Sequence, residues 1–430
     1  MHKKELLSRK AIQFLLIAIS KSPALTMILT FSLGLLFNIF SVLIPKDLRK
    51  VVFVCLRERM DNSEFVFREM MNRGLDSILK LVWITEREYS EDPVHEYVTK
   101  YSKRYFYHML TAKYIISTHG PPTVKGFGQM HIELWHGIPF KSLGLLLNRK
   151  LSLTDRIRKL LTIPISKKID YLIVTSEFTK KLFSNIFGIP KERCVVLGQP
   201  RCSGIFESKA QAVRNLRIVL GERNLQYNGI ILYAPTYRNM PRYRVTTYEI
   251  VKNLLASKDL IATLDENNLL FIIKLHPMDR KIKSERKVAN IKFMSDEDLL
   301  NSKLTIYDIL PAIDILVTDY SSIAYDYFLL NRPVIFYIPD IEFYRRYAGF
   351  IIDVENPIIP GKKCKTIGEL IYALKHAFEE KIDTTKICRV LYSKIDGKDA
   401  ERVVDFLLNL MAIDLKEKSN ESCNLNCRSR

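Results

Sequence analysis

Four short, largely apolar runs, at residues 130–134, 229–232, 269–273 and 313–317, each stop on a cluster of polar side chains. Runs of this length, rich in β-branched residues, read as buried strands. The clusters that follow are Trp135-His136-Gly137-Ile138-Pro139-Phe140-Lys141, Tyr233-Ala234-Pro235-Thr236-Tyr237-Arg238, Lys274-Leu275-His276-Pro277 and Thr318-Asp319-Tyr320-Ser321-Ser322. Two histidines, an arginine and a serine pair therefore fall at the carboxyl ends of strands. In an open α/β sheet that is the edge where ligands bind. Basic side chains and small hydroxyls there suit a polyanion.

The rest of the chain supports such a sheet twice over. After Pro45 the pattern predicts strands at 51–56, 81–85, 113–117, 130–134, 170–175 and 194–197, with helices at 64–73, 94–108 and 177–187. A second series adds the strands before Pro235, His276 and Thr318, and one at 334–337, with helical segments at 246–264, 321–330 and 367–379. Alternation of this kind gives parallel sheets with helices on both faces. The expected fold class is α/β, two doubly wound domains facing a cleft. Its units are 1–48 (an apolar N-terminal segment), 49–203, 204–412 with a last helix near 400–411, and a polar, disordered tail at 413–430.

Charge narrows the partner. The 430 residues carry a net charge of +19, which calls for nucleic acid, an anionic membrane surface or a phosphate-rich substrate. No signature of a nucleic-acid module is present, so a nucleic-acid partner is not expected. The seven cysteines are odd in number and form no CxxC pair. That pattern points to a reducing compartment without disulfides or a structural metal.

Residues 24–44 contain no charge, and about 20 apolar residues suffice to cross a bilayer. Lys21 precedes the run, and Lys46, Arg49 and Lys50 follow it; a shorter run at 11–20 follows Lys3, Lys4, Arg9 and Lys10. No small-residue cleavage site marks a signal peptide. A single anchor, a helical hairpin and helices lying in the membrane interface all remain open, with a buried core helix as the alternative. Basic flanks on both sides give no orientation.

Each strand-end motif has a functional and a structural reading. His136 can serve as a base near neutral pH, beside a Gly137 that admits close approach and a Lys141 within reach of phosphate; or it ends a strand before a turn. Arg238 suits bidentate phosphate contact, with Thr236 as a further donor, or it is a solvated loop residue. His276 near a diphosphate would stabilise developing charge, or it is a satisfied loop histidine. Ser321 and Ser322 at a helix start cap the helix and also form an anion site. Asp319 is a lone carboxylate, not part of a metal cluster. Asp326 meets a ribose hydroxyl or faces solvent, and Arg201 touches phosphate or belongs to a linker. The segment 141–168 interleaves Arg149, Lys150, Arg156, Arg158, Lys159, Lys167 and Lys168 with Leu145, Leu151, Leu153, Ile157, Leu160 and Leu161. It reads as a basic amphipathic element for anionic lipid or polymer, or as an ordinary helix with a solvated face.

In their order and spacing the four motifs resemble the CDP-glycerol glycerophosphotransferase family, the teichoic-acid primases and polymerases including ribitol-phosphate relatives. Asp61-Asn62-Ser63, Ser176-Glu177-Phe178, Gly198-Gln199-Pro200-Arg201, Asp326-Tyr327, Pro360-Gly361 and Asp396-Gly397 through Arg402 match as well. The resemblance spans residues 51–406. Ser203 stands where the family usually has Asp, Ala348 precedes Gly349 where Arg is frequent, and Tyr237 replaces a common Trp.

The resemblance implies a GT-B fold and an enzyme at the cytoplasmic face of the cell membrane. It implies a CDP-alditol donor, CDP-glycerol first, and a lipid-linked anionic acceptor. His136 would be the base, with His276 a second catalytic residue on the donor phosphate. Arg238, Thr236, Ser321 and Ser322 would hold the diphosphate; Gly137, Lys141, Arg201, Asp319 and Asp326 would make further donor or acceptor contacts. With no paired acidic cluster, neither metal nor cofactor is expected. Two competing readings are a GT-B glycosyltransferase using a nucleotide sugar, and a non-catalytic membrane-bound binder of polyanions.

Overall fold

The computed structural model describes residues 34, 37–55, 61–85, 96–122, 124–147, 153–236, 238, 246–274, 288–380 and 382–428. Most of the 1–48 segment, Tyr237 and His276 lie outside the described residues.

Among the described residues, thirteen strands form two sheets. The first contains β1 (Asp47–Val54), β2 (Lys80–Thr85), β3 (Glu96–Thr99), β4 (Ala112–Ser117), β5 (Met130–Glu133), β6 (Tyr171–Val174) and β7 (Cys194–Val196). The second contains β8 (Gly229–Ala234), β9 (Leu269–Lys274), β10 (Ile291–Met294), β11 (Ile315–Thr318), β12 (Val334–Tyr337) and β13 (Lys362–Cys364). Their orders are β3-β2-β1-β4-β5-β6-β7 and β10-β9-β8-β11-β12-β13. Every pairing is parallel. Strand order reverses between β1 and β4 in the first sheet and between β8 and β11 in the second. Those two switch points open the crevices in which doubly wound sheets hold ligands.

Period-2 alternation explains why both faces are covered. In β1, Val51 and Phe53 face one apolar cluster and Val52 the other. In β8, Ile231 and Tyr233 face one side, and Ile230, Leu232 and Ala234 the other. The helices that cover these faces begin on side-chain caps. Ser102 accepts from Tyr105 N, Ser176 forms a capping box with Thr179, and Thr246 one with Glu249. Such caps satisfy amides that would otherwise have no partner.

The halves share a core. The largest apolar cluster joins Phe65, Ile138 and Phe140 of the first half to Leu232, Leu316 and Phe336 of the second. Phe140 stacks on Tyr325 at 4.2 Å. The loop after His136 is pinned across the cleft: Ser142 N donates to Gly349 O at 2.9 Å, Ile351 N donates to Phe140 O at 2.8 Å, and Lys141 bridges Phe350 in antiparallel fashion.

Four local expectations change. Residues 96–99 are the edge strand β3, and the helix expected over 94–108 is Lys103–Thr111. Tyr97, Val98 and Thr99 have strand propensity, and Ser102 is the helix signal. The helix expected at 246–264 is two, Thr247–Ala256 and Lys258–Glu266, with Ser257 ending the first and capping the second. The helix expected at 321–330 is the short Ile323–Tyr327, followed by the 3₁₀ turn Phe328–Leu330. The last helix runs from Asp399 to Arg428, through the stretch expected to be a disordered tail. Its Val403, Val404, Leu407 and Met411 pack with β1 and β4 of the first sheet rather than with the second half.

Candidate functional site

The carboxyl ends of β1, β4 and β5 place Asp61, His119 and His136 together. The His136 ring lies 5.1 Å from that of His119, with the planes 20° apart. His119 Nε2 is 3.9 Å from an Asp61 carboxylate oxygen, and its Nδ1 is 3.4 Å from Cys55 Sγ. His136 Nδ1 lies 3.4 Å from Thr118 O. A carbonyl only accepts, so Nδ1 carries the proton and Nε2 keeps the lone pair. Burial first, and then His119, pull the His136 imidazole down to about 3, against the pull of Asp61. The ring is neutral at neutral pH. Burial opposes charge on Asp61, yet Arg201, His119 and His136 hold its carboxyl below the usual carboxylate range.

The backbone that presents His136 is strained. Trp135 has φ +54 and Gly137 φ +120; a left-handed conformation at a bulky residue costs about 1–3 kcal/mol and persists only where its surroundings impose it. Here Trp135 N donates to Glu133 Oε1 at 3.0 Å, and Trp135 O accepts from Asn62 Nδ2 at 2.7 Å. Gly120 N donates to the same Glu133 oxygen at 3.1 Å, so one carboxyl ties the His119 loop to the His136 loop. Ser117 Oγ bonds Glu133 Oε2 and lies 2.5 Å from His131 Nε2. Burial pushes Glu133 up to about 7, against the Ser117 hydroxyl and the two amides.

A raised carboxyl pKa means that the folded state holds the proton more tightly, so its stabilising contribution is complete at low pH and is lost as pH rises towards about 7. Glu133→Gln is therefore expected to flatten the fall in thermal midpoint from about pH 5 to about pH 8. Glu133→Ala, which frees both amides, should cost about 1–3 kcal/mol and slow turnover at least tenfold. Unfolding scans across pH, with kcat beside them, check both.

The second switch point meets the first. A Cβ on Gly137 would lie 2.7 Å from Ser322 Oγ and 2.6 Å from an Arg201 nitrogen, so Gly137 packs directly against Ser322 across the cleft. Both serines are partly exposed, and Ser322 makes no side-chain cap bond to its helix. Lys141 is exposed at the same cleft strap.

Other expected ligand residues are engaged with the protein. Arg238 is fully buried. Its Nε donates to Asp340 at 2.8 Å, its Nη2 to Asp340 at 3.1 Å, and its Nη1 pairs with Asp319 at 2.5 Å. Thr236 Oγ1 also donates to Asp319, at 2.6 Å. Arg238, Thr236 and Asp319 thus fix the β8 and β11 loops to each other, and Arg238 offers no exposed face to a diphosphate. Asp326 is buried as well, bonded to Arg201 at 2.7 Å, Tyr307 at 2.7 Å and Tyr392 at 2.8 Å; neither a ribose nor solvent reaches it. Arg201 joins Asp326 to Asp61 at 3.0 Å and to His136 O at 3.0 Å, so it organises the cleft from beneath.

Asp61, His119 and Glu133 are the residues that the motif reading passed over as site members. His119 gave the same signal as the others, a polar residue two places beyond the strand predicted at 113–117. Glu133 lies inside a predicted strand, where a carboxylate carries no such mark.

Comparison with known proteins bears on this arrangement. Residues 36–409 match the sequence model of the family described as CDP-glycerol:poly(glycerophosphate) glycerophosphotransferase. The chain is 30% identical over 287 residues to the teichoic acid glycerol-phosphate primase of Bacillus subtilis, covering 65% of this chain and 68% of that one. It is 27% identical over 293 residues to the teichoic acid ribitol-phosphate primase of Bacillus spizizenii, covering 65% and 69%. The solved wall teichoic acid polymerase TagF superposes with a TM-score of 0.71 at 20% identity, over 86% of this chain and 91% of that one. At that identity the likeness speaks to fold, and it matches the two-sheet, GT-B-like architecture.

Proposed function

Because the chain belongs to the CDP-glycerol:poly(glycerophosphate) glycerophosphotransferase family, we propose that it transfers an alditol phosphate, glycerol phosphate first, from a CDP-alditol to a hydroxyl of a lipid-linked or polymeric acceptor in teichoic-acid-like polymer synthesis. The carrying observation is a neutral His136, with Nδ1 on Thr118 O and Nε2 left as the basic nitrogen, in a loop whose next residue, Gly137, packs against Ser322 of the opposite sheet. The acceptor oxygen attacks the distal phosphorus and its proton passes to His136 Nε2. The new O–P bond forms as the bond to CMP breaks, and CMP leaves with the electron pair. Phosphoryl transfer of this kind needs chiefly positioning and charge stabilisation. The Ser321-Ser322 turn, whose Ser322 lies beside Gly137, and the exposed Lys141 are the groups assigned to the donor phosphates, with His276 as a further candidate.

The test is CMP release from CDP-glycerol, CDP-ribitol and a panel of nucleotide sugars, with membrane lipid extract as acceptor. The expected result is CMP from a CDP-alditol, with label entering lipid or polymer. Release from a nucleotide sugar alone would replace the reaction with glycosyl transfer. No release from any donor would favour a non-catalytic binder.

The same reading places the protein on the cytoplasmic face of the membrane, where a CDP-alditol donor and a lipid-linked acceptor meet. Exposed apolar side chains support this. Leu43 is 79% exposed and Leu160 77%, with Ile39, Phe40, Val42, Phe127, Ile163 and Ile165 also exposed. Gly126 sits directly against Ser41, and Lys125 pairs with Asp170 just past the helix Leu153–Ser166, so these pieces lie along connected parts of the first half. No helix among the described residues is long and apolar enough to cross a membrane, and interfacial docking is the mode that this surface favours. Leu43→Glu combined with Leu160→Glu should weaken flotation with anionic vesicles by about tenfold or more. Unchanged flotation would remove this surface.

A further inference from the structure

The first sheet's own switch point, between β1 and β4, is filled by Asp61 and His119, not by the His136 motif, which hangs from β5. Both are well enclosed: their side chains are 18% and 15% exposed. His119 lies against the His136 ring on one side and within 3.9 Å of Asp61 on the other. Asp61 accepts from the helix amide Asn62 N at 2.8 Å and from Arg201 at 3.0 Å, so its carboxylate is fixed. The next residues, Asn62 and Ser63, bond Trp135 O and the Thr118 hydroxyl. One short stretch therefore sets the carboxylate, the His119 loop and the His136 loop at once. A solvated face would need none of this.

We propose that His119 and Asp61 are positioning residues for His136: the stacked His119 ring fixes the plane of the base, and the Asp61 carboxylate stabilises the imidazolium formed when His136 takes the acceptor proton. The proposal rests on the phosphoryl-transfer reading above and adds a division of labour within its site. A stacked imidazole that can itself carry charge disfavours a proton on its neighbour, and a nearby carboxylate favours one. The two act at different moments. Before reaction the His119 effect keeps the Nε2 lone pair available. During reaction the fixed Asp61 carboxylate lies close to the developing charge without reorganisation. Among the described residues, the charged or titratable groups around the pair include Asp61, Arg201, Cys55 and, through the loop amides, Glu133. Of these only Asp61 and Glu133 are acids, and Glu133 is pushed to about 7, which leaves Asp61 as the carboxylate charged throughout the neutral range.

The experiment compares wild type, His119→Phe and Asp61→Asn by two readouts. The first is the imidazole titration of His136, followed by NMR in the full-length protein with labelled histidine. The second is the pH profile of kcat/KM for CMP release. His119→Phe keeps a ring to stack on but removes the second charge, so the His136 titration and the acidic limb should move up by about one pH unit. Asp61→Asn keeps the shape and removes the anion, so both should move down and kcat should fall about 10- to 100-fold. Unmoved titrations in His119→Phe, whatever its activity, overturn the proposal even if Asp61→Asn does not fold. If wild type releases no CMP, the transfer reading fails; the NMR titration then still decides whether His119 and Asp61 govern His136.

Discussion

Replacing His136 with glutamine is expected to slow CMP release by about 10²- to 10⁴-fold, the usual contribution of a positioned general base. The loss should fall on kcat, with KM for the donor little changed. Nδ1 is committed to Thr118 O, so Nε2 is the ring's one lone pair, and glutamine offers an amide of similar reach with no basic nitrogen. The thermal midpoint should hold, because the ring is partly exposed and its hydrogen bond to Thr118 O is long, at 3.4 Å. Burial and His119 draw the free imidazole to about 3, which makes it a weak base in the unliganded protein. An anionic diphosphate donor seated beside it would raise that value towards the working pH. The acidic limb of kcat should therefore lie above that of the free-enzyme titration. Turnover within tenfold of wild type would exclude His136 as the base.

Arg238→Leu should produce the largest loss of stability. Its guanidinium is the shared partner of Asp319 and Asp340, and all three are buried. Removing one partner of a buried ion pair costs about 3–5 kcal/mol, because the opposite charge is left unpaired in a medium of low dielectric. A midpoint lower by on the order of 10 °C is expected. Arg238→Lys should recover only part of it, since a single ammonium cannot make the two-nitrogen contact to Asp340. A diphosphate ligand would behave otherwise: KM would rise and the midpoint would stay. Denaturation with and without CDP-glycerol distinguishes these outcomes.

This contrast shows what was legible in the sequence. Strand ends could be read because apolar alternation stops abruptly, and the β8 and β11 ends meet at a switch point. The pairing of Arg238 could not be read, because its partners lie 102 and about 80 residues away and nothing local marks a carboxylate as its counterion. Asp326 looked like a helix residue free to face a ribose; two tyrosines and Arg201 from separate segments enclose it. Gly137 was read as admitting a ligand close to the backbone; in the fold the groups that approach it are Ser322 of the other sheet and Arg201. The edge strand β3 was hidden by its length, four residues beside a helix rich in aromatics. Tertiary pairing decides segments that short.

The closing helix has a consequence for how the molecule is made. Val403, Val404, Leu407 and Met411 cover the same apolar face of the first sheet as Val66 and Phe67, yet they are synthesised some 340 residues later. While the ribosome is still translating the second half, the β1–β4 face stays partly open to water and to other nascent chains. The two halves therefore do not mature as independent beads on a string. A fragment ending before Asp399 should emerge with an adhesive flank, bind hydrophobic dyes and depend on chaperones, and supplying residues 399–428 in trans should quiet it.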